Sequence, residues 1–378
     1  MTNHTPNEIM VVNAGSSSLR LTLFQHQDNR LQRVAAQRFE ADPEHADTQL
    51  RQFMETHGIA SDVPIAHRVV HGGARFKHAV RIDTGVTQHI ADLIPLAPLH
   101  NPAALALIRT LETHAPDTPQ VAVFDTAFFH NLPEVAKTYA IAAEVSQKHA
   151  IYRYGFHGLA HEYMWQQWCQ LTGNTSGRGR VITLQLGSGC SMAAIKDGRA
   201  MDTSMGFSPL EGLVMATRSG DIDPGIALYL QTVAGYSVGE MDTLLNQHSG
   251  LLGVSQQSAD MRALLEATDA QAKLALDIYC YRLRKYIGAY LSVLGGVDGI
   301  VFGGGVGENS AVIRARVLQD MTWCGIKLDN VKNSATLGHD GCISQADSQV
   351  EVWTIKVQED SLIAQQTCVL LEQEHAPT

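Results

Sequence analysis

Three short runs of small residues mark places where chemistry could be done: Ala14 to Ser18, Gly187 to Ser191, and Gly303 to Gly307. Several backbone N–H groups can reach the oxygens of one polyphosphate only where side chains are small. A single run of this kind reads as a tight turn. Three of them, two on the tips of matching hairpins, point to bound phosphate. Neither common nucleotide fingerprint is present. There is no G-x-x-x-x-G-K-[ST], and after Gly303-x-Gly305 the third dinucleotide glycine is replaced by Glu308. A P-loop and a Rossmann site are therefore excluded.

Charged side chains near such loops would have to manage the phosphate. Arg68 in AHRVVHGG and Arg218 in ATRSGDIDPG are forks that bind planar oxyanions bidentately, although an isolated arginine is often a solvated surface charge. His157 in RYGFHG is a compact donor for a transferring phosphoryl group; the plainer reading is a satisfied, half-buried histidine. His157 and His161 stand at i, i+4, yet Trp165 occupies the place of the second histidine in HExxH, so a zinc site is not expected. Asp125 ends the apolar run VAVF and Glu359 follows VEVWTIKV. Both are expected at strand ends, where α/β proteins assemble their sites and where Mg2+ would find oxygen ligands. Asp221 and Asp223, beside glycine and proline, read as turn and cap residues.

The elements that must position these groups follow from apolar periodicity. Residues 9–13 and 19–24 read as strands of a hairpin with a polar tip, and residues 181–186 and 192–195 repeat the pattern. The chain thus looks duplicated. Residues 300–302 form a further short strand ahead of the third glycine run, and Asn309 or Ser310 can cap a helix from residue 311. The spacing of Leu274, Ile278, Ile287, Leu291 and Leu294 predicts a helix over 271–294 with one buried face. Alternating strands and helices imply α/β layers. The proline-rich stretch 95–102 reads as an ordered loop.

Composition narrows the class. A chain of 378 residues with 45% hydrophobic content exceeds what one core usually supports, so two domains are expected. A net charge of -10 with no basic stripe excludes nucleic acid as a partner. Six scattered cysteines without a C-x-x-C pair suit reduced thiols in a cytoplasm. No signal-peptide pattern and no apolar run of membrane-spanning length is present, so no membrane partner is expected.

The ordered set VVNAGSSSLRLTLF, HRVVHGG, PLAPLHNP, VFDTAFF, YRYGFHG, MGFSPLEGLVMATRSGDIDPG and GGGVGENS, spread over nearly the whole chain, closely resembles the acetate and propionate kinase family. The resemblance implies an α/β, two-domain, duplicated ribonuclease H-like (actin-like ATPase) fold with the active site in the interdomain cleft. It implies domains at 1–126 plus 361–378 and at 127–360. The implied reaction is reversible, Mg2+-dependent transfer of the ATP γ-phosphoryl group to acetate, giving acetyl phosphate and ADP, in a homodimer. By position in the motifs, Arg68, Asp125, His157 and Arg218 correspond to catalytic residues, and Asn13 and Glu359 to metal-associated ones. Arg68, Val70, Leu99, His100, Phe156 and Pro209 correspond to the acyl site. Ser16, Ser18, Arg20, Gln185, Leu186, Gly187, Ser188, Gly189, Asp260, Met261, Arg262, Gly305, Val306, Gly307, Glu308 and Asn309 correspond to nucleotide contacts.

Departures from the family pattern gather on the nucleotide side. Ser188 replaces an asparagine, Gln185 a histidine, Arg20 a lysine and Gln358 an asparagine, while Phe129 pushes His130 one place along. Ser188 offers one hydroxyl where an amide would offer both donor and acceptor. Alternatives to the acetate reading are another short-chain carboxylate such as propionate, a sugar as acceptor, or a nucleotide-binding regulator without turnover.

Overall fold

The computed structural model describes residues 6–15, 18–27, 30–40, 42, 45–98 and 100–375. Ser16 and Leu99, both singled out above, lie outside these residues. The chain divides into two compact units, Met1–His130 with Gln358–Thr378, and Asn131–Val357.

Among the described residues, each unit contains one six-stranded mixed sheet. The first is built from β1 (Glu8–Ala14), β2 (Ser18–Gln27), β3 (Arg30–Glu40), β4 (Ile65–Val69), β5 (Val80–Arg81) and β6 (Gln120–Phe124), in the order 3-2-1-4-6-5. The second is built from β7 (Arg180–Leu186), β8 (Cys190–Lys196), β9 (Arg199–Thr203), β10 (Gly299–Gly303), β11 (Gly341–Cys342) and β12 (Glu351–Thr354), in the order 11-12-10-7-8-9. Read from opposite ends, the two orders are the same. The senses agree as well: an antiparallel meander of three strands, then two parallel neighbours, then a short antiparallel edge. The duplication expected from the two hairpins is present throughout both sheets.

The central parallel strands are buried on both faces, which is why IMVV in β1 and VAVF in β6 are continuous apolar runs rather than alternating ones. Met10, Val12, Leu21, Leu50 and Phe53 form one core cluster of the first unit. Val69, Ile90, Ile108 and Phe124 form another, with Phe76 stacked on Phe124 at 4.6 Å.

Several expectations need correction. The hairpin at 19–24 is longer than its apolar alternation suggested and continues into a third strand, β3, whose mostly exposed residues carry no strand pattern. The second glycine loop is shorter, because β8 already begins at Cys190. The third glycine run is not an open loop: β10 turns directly into the helix Gly304–Asn309. Gly304 makes that turn at φ 75°, where a Cβ would lie 2.6 Å from the Leu186 carbonyl oxygen. Ser310 then caps the helix Ala311–Leu318, accepting from the Ile313 N–H.

The long helix Ala270–Leu294 buries Ala272, Leu276, Tyr279, Leu283, Ile287, Tyr290 and Leu294, whereas Leu274 is 48% exposed. Small and amphipathic side chains carry its inner seam, so counting only large aliphatic residues set the phase wrongly. Glu359 is not at a strand end. It opens the helix Glu359–His375, which packs on the first sheet, whereas β12 belongs to the other unit.

Arg314 is fully buried, and its guanidinium donates to the carbonyls of Gly307, Glu308, Asn333 and Thr336 and to Asn333 Oδ1. It thereby ties the C-terminal end of the helix Gly304–Asn309 to the helix Asn330–Ala335. Arg314→Leu strands these buried acceptors, and the expected loss is about 3 to 5 kcal/mol of unfolding free energy in urea titrations. A loss within ~0.5 kcal/mol, the range of surface substitutions, would show that the clamp does not support the fold.

Candidate functional site

In the first unit the ends of three adjacent parallel strands supply the site. Asn13 is the penultimate residue of β1, Arg68 lies near the end of β4, and Asp125 directly follows β6. The registers of β1 on β4 and of β4 on β6 set these ends side by side. Arg68 grips Asp125 with two parallel bonds, Nε to Oδ1 at 3.2 Å and Nη2 to Oδ2 at 2.5 Å, and donates from Nη1 to Asn13 Oδ1 at 3.2 Å. Both oxygens of Asp125, which is fully buried, are thus occupied by one fork.

Asn13 Nδ2 in turn donates to Asp360 Oδ1 at 3.0 Å and reaches Glu359 Oε2 at 3.5 Å, and Glu359 lies 3.9 Å from Arg68 Nε. Burial pushes the Asp125 carboxyl up, the Arg68 charge pulls it back and Glu359 pushes it up again, leaving it at about 6. Arg68 is held above its ordinary value: burial opposes its charge, but Asp125, Glu359 and Asp360 outweigh it.

Asp360 was not anticipated from sequence. It is buried and receives Thr22 Oγ1 at 2.9 Å as well as Asn13, with Arg20 Nη1 at 3.5 Å. Arg20 therefore sits on a carboxylate of its own unit. The available signals were an acid directly after Glu359 and a hydroxyl at Thr22 between the apolar Leu21 and Leu23 of β2. Ser18 opens β2, and its carbonyl accepts the Gly15 N–H at 2.9 Å, closing the hairpin tip.

In the second unit the corresponding strand ends carry loops rather than acids. Gly187 and Ser188 follow β7, and Gly305, Val306 and Asn309 lie in the helix after β10. Together with Asp260, Met261, Arg262, Leu251 and Leu265 they line a cavity of about 660 Å³. That is the size of a small-molecule site. Asp260 caps the helix Met261–Glu266 and pairs with Arg262 at 2.8 Å. Leu186 is buried, Gly307 packs near Phe302, and Gln185 is partly exposed with its buried Oε1 unpaired. Glu308 turns its carboxylate to the N–H groups of Gly304 and Val357, both at 3.0 Å. It braces the turn instead of facing the cavity.

The other side of the loop Gly187–Gly189 meets two charge-bearing groups. A Cβ placed on Gly189 would lie 3.3 Å from His157 Cε1, 3.5 Å from Nε2 and 3.8 Å from Arg218 Nη1. A side chain there would press on the His157 ring, a contact that glycine avoids. His157 caps the helix Gly158–Leu171 from the left-handed region, φ 57° and ψ 29°, a costly setting for a non-glycine residue and one that functional sites retain. Arg218 is half-buried and donates to the Pro209 carbonyl at 3.1 Å, with Met215 Sδ at 3.9 Å. Among the described residues it has no carboxylate within ion-pair distance. Burial lowers its pKa from the usual arginine value, with a small opposing effect from Cys190.

Of the expected acyl residues, Val70 and Phe156 are buried, Pro209 is partly buried against Arg218, and His100 precedes the helix Asn101–His114. His130 Nδ1 bonds the Ala127 carbonyl at 2.8 Å, and its ring packs edge-on against His78. Asp223 caps the helix Pro224–Thr232, and Asp221 accepts from Gly212 N–H and Tyr286 O–H, structural roles for both. His161, weighed only as a metal ligand, instead shares Ser191 Oγ with His157. No described helix is long and apolar enough to cross a membrane.

The profile of the Acetokinase family matches residues 32–365. An acetate kinase of Thermotoga petrophila is 41% identical over 399 aligned positions, covering 97% of this chain and 99% of the relative. One of Chloroherpeton thalassium is 48% identical, covering 81% of this chain and 75% of the relative. Among solved structures, the acetate kinase of Porphyromonas gingivalis superposes with a TM-score of 0.87 at 36% identity, covering 97% of this chain and all of that one. A propionate kinase of Francisella tularensis gives 0.85 at 36% identity over 96% of this chain and 99% of that one.

The Arg68–Asp125 pair is buried, so removing one partner leaves an uncompensated charge. Asp125→Ala is expected to cost about 3 to 5 kcal/mol of unfolding free energy, and adding Arg68→Met should recover a large part of that loss. Two independent, additive losses would show that the pair is not coupled.

Proposed function

The chain belongs to the Acetokinase family, and on that footing we propose that it transfers the γ-phosphoryl group of ATP to acetate, reversibly, giving acetyl phosphate and ADP. One observation carries the reading. Arg218, a partly buried guanidinium with no carboxylate partner among the described residues, stands with His157 over a glycine loop that also lines a nucleotide-sized cavity. Its charge is left for an anionic ligand to pair with, and a phosphoryl group fits.

The acceptor is a carboxylate, already ionised at neutral pH, so no proton must be removed before it attacks the γ-phosphorus. Positioning and charge neutralisation suffice, by direct in-line attack. Asp125 then acts by holding Arg68, consistent with both its oxygens being engaged in that fork. Arg68 and Arg218 offset the mutual repulsion of the two anions, and His157 donates to the equatorial oxygens. Val70, Leu99, His100, Phe156 and Pro209, with Arg68, are the residues proposed to contact the acyl substrate. One further methylene in an apolar pocket is discriminated by only about 1 to 3 kcal/mol, so propionate is a secondary substrate.

The carboxylates of Glu359 and Asp360 suit a hard cation, and Glu359 and Asn13 would hold Mg2+, Asn13 through the Oδ1 that here accepts from Arg68. Among the described residues no three histidines, cysteines or carboxylates are placed to cage a metal by themselves. Such a site matches an ion that keeps several waters and nucleotide oxygens as ligands. When bound, Mg2+ neutralises charge on the β- and γ-phosphates.

We further propose a cytoplasmic homodimer. Free cysteines suit a reducing compartment. The helix Pro224–Thr232 buries none of its residues and, with the segment after it, exposes Ile226, Leu228, Tyr229, Val233 and Val238, an apolar surface suited to a second copy. Leu228→Asp combined with Val233→Asp is expected to halve the mass measured by light scattering. A wild-type chain that is already monomeric would refute the dimer.

Incubation with Mg-ATP and acetate, propionate, butyrate or glucose, with hydroxylamine present, tests the reaction. Acetyl hydroxamate is expected in greatest yield, then the propionyl product; no trapped product and no ADP would refute it. Arg218→Ala and His157→Ala should lower kcat by about 100-fold or more and change the Michaelis constants little. A rise confined to the Michaelis constants would remove both residues from the transition state.

A further inference from the structure

Three buried polar side chains behind His157 have no place in the mechanism above. Thr183 on β7, Ser191 on β8 and His161 on the helix Gly158–Leu171 are all fully buried. Gln185 pairs with Ser191 across the two strands, which puts Thr183 and Ser191 on the same face of the sheet. They form one continuous chain: Thr183 Oγ1 to His161 Nδ1 at 2.7 Å, His161 Nε2 to Ser191 Oγ at 2.7 Å, and Ser191 Oγ to His157 Nδ1 at 2.9 Å.

The protons of this chain can run in either of two continuous senses, and an arrangement in which both imidazoles donate to Ser191 Oγ leaves the buried Ser191 hydroxyl hydrogen without an acceptor. Burial pulls the His161 imidazole down to about 3, so it is neutral and carries a single N–H. If that proton sat on Nδ1, it would be given to Thr183 Oγ1, and the Thr183 hydroxyl hydrogen would have no acceptor, since among the described residues His161 is its one hydrogen-bond partner. A buried donor left unpaired is strongly disfavoured. In the opposite sense every group is satisfied. Thr183 O–H donates to His161 Nδ1, His161 Nε2–H donates to Ser191 Oγ, and Ser191 O–H donates to His157 Nδ1.

We infer that Thr183, His161 and Ser191 are positioning residues that fix His157 as the neutral tautomer with its proton on Nε2. That nitrogen is on the ring edge near Gly189 and Arg218. The relay thus delivers a hydrogen-bond donor to the phosphate loop, where the other tautomer would present a lone pair against phosphoryl oxygens. It is a static device: no proton leaves His157, and no bond is made or broken within the relay. The inference rests on the phosphotransfer reading only for what His157 Nε2–H then contacts.

Long-range 1H–15N correlation spectra of the full chain, labelled with 15N-histidine and free of substrate, test it at neutral pH. His157 and His161 are both expected as Nε2–H tautomers, with His157 assigned by its loss in His157→Gln. In Ser191→Ala the His157 signal should move toward a mixture of tautomers, with kcat lowered about tenfold and the Michaelis constants little changed. Thr183→Val should loosen the His161 tautomer, and Thr183→Ser should restore it. An Nδ1–H tautomer of His157 in the wild type, or an unchanged Nε2–H signal in Ser191→Ala, would overturn the relay. Because the spectra need no turnover, an Nε2–H His157 in a chain that makes no acyl phosphate would uphold the relay and refute the proposed reaction.

Discussion

Like charges must be brought together for a carboxylate to attack a triphosphate, and an acidic chain has few cations with which to permit it. At 4 Å two unit charges repel by about 4 kcal/mol even at the effective dielectric of a protein surface. In the proposed reading two arginines carry this task, and they are held in different ways. Arg68 is immobilised by a buried carboxylate that uses both its oxygens, which leaves a rigid, oriented cation at the strand ends. Arg218 is held by a carbonyl and a thioether, so its charge is not spent on the protein. Arg314, equally lacking an acidic partner among the described residues, shows the contrasting case. Carbonyl and amide oxygens take up its donors, and it serves the fold.

Duplication explains why such different tools stand at equivalent places. Both sheets present the same strand order, and in both the proposed site residues stand at the C-terminal ends of the central parallel strands. In the first unit those ends bear Asn13, Arg68 and Asp125, an oxygen-rich polar cluster. In the second they bear Gly187, Ser188 and the helix from Gly304, which are small enough to admit a nucleotide. A common scaffold thus carries a charged cluster at the strand ends of one unit and small residues beside a cavity in the other. The buried polar networks behind each set, Asp360 with Thr22 and Ser191 with His161, are satisfied within their own unit.

Much of this was legible in the sequence because it depends on composition at turns. Glycine and serine between apolar strands marked the turns at the strand ends, and the two hairpins announced the duplication seen in both sheets. What was hidden depends on which side chains face inward. Thr183 and Ser191 look like ordinary hydroxyls in β-strands, and only the packing of a helix over them makes them a relay. Tyr279 and Tyr290 take places in the buried seam where Leu274 was expected; the Tyr279 hydroxyl meets Cys190 Sγ at 3.4 Å, whereas that of Tyr290 has no hydrogen-bond partner among the described residues. Glu359 was placed at a strand end because apolar residues precede it, whereas the chain crosses back to the first unit there and starts a helix.

The central claim is that positioned charges move the phosphoryl group directly from one anion to another, with no covalent stop on the carboxylates near Arg68. The stereochemistry at phosphorus tests this most directly, with ATP made chiral at the γ-position by oxygen isotopes and acetyl phosphate analysed after a single turnover. Direct in-line transfer requires inversion of configuration. Retention would mean two successive displacements through a phosphorylated side chain, and would contradict the account.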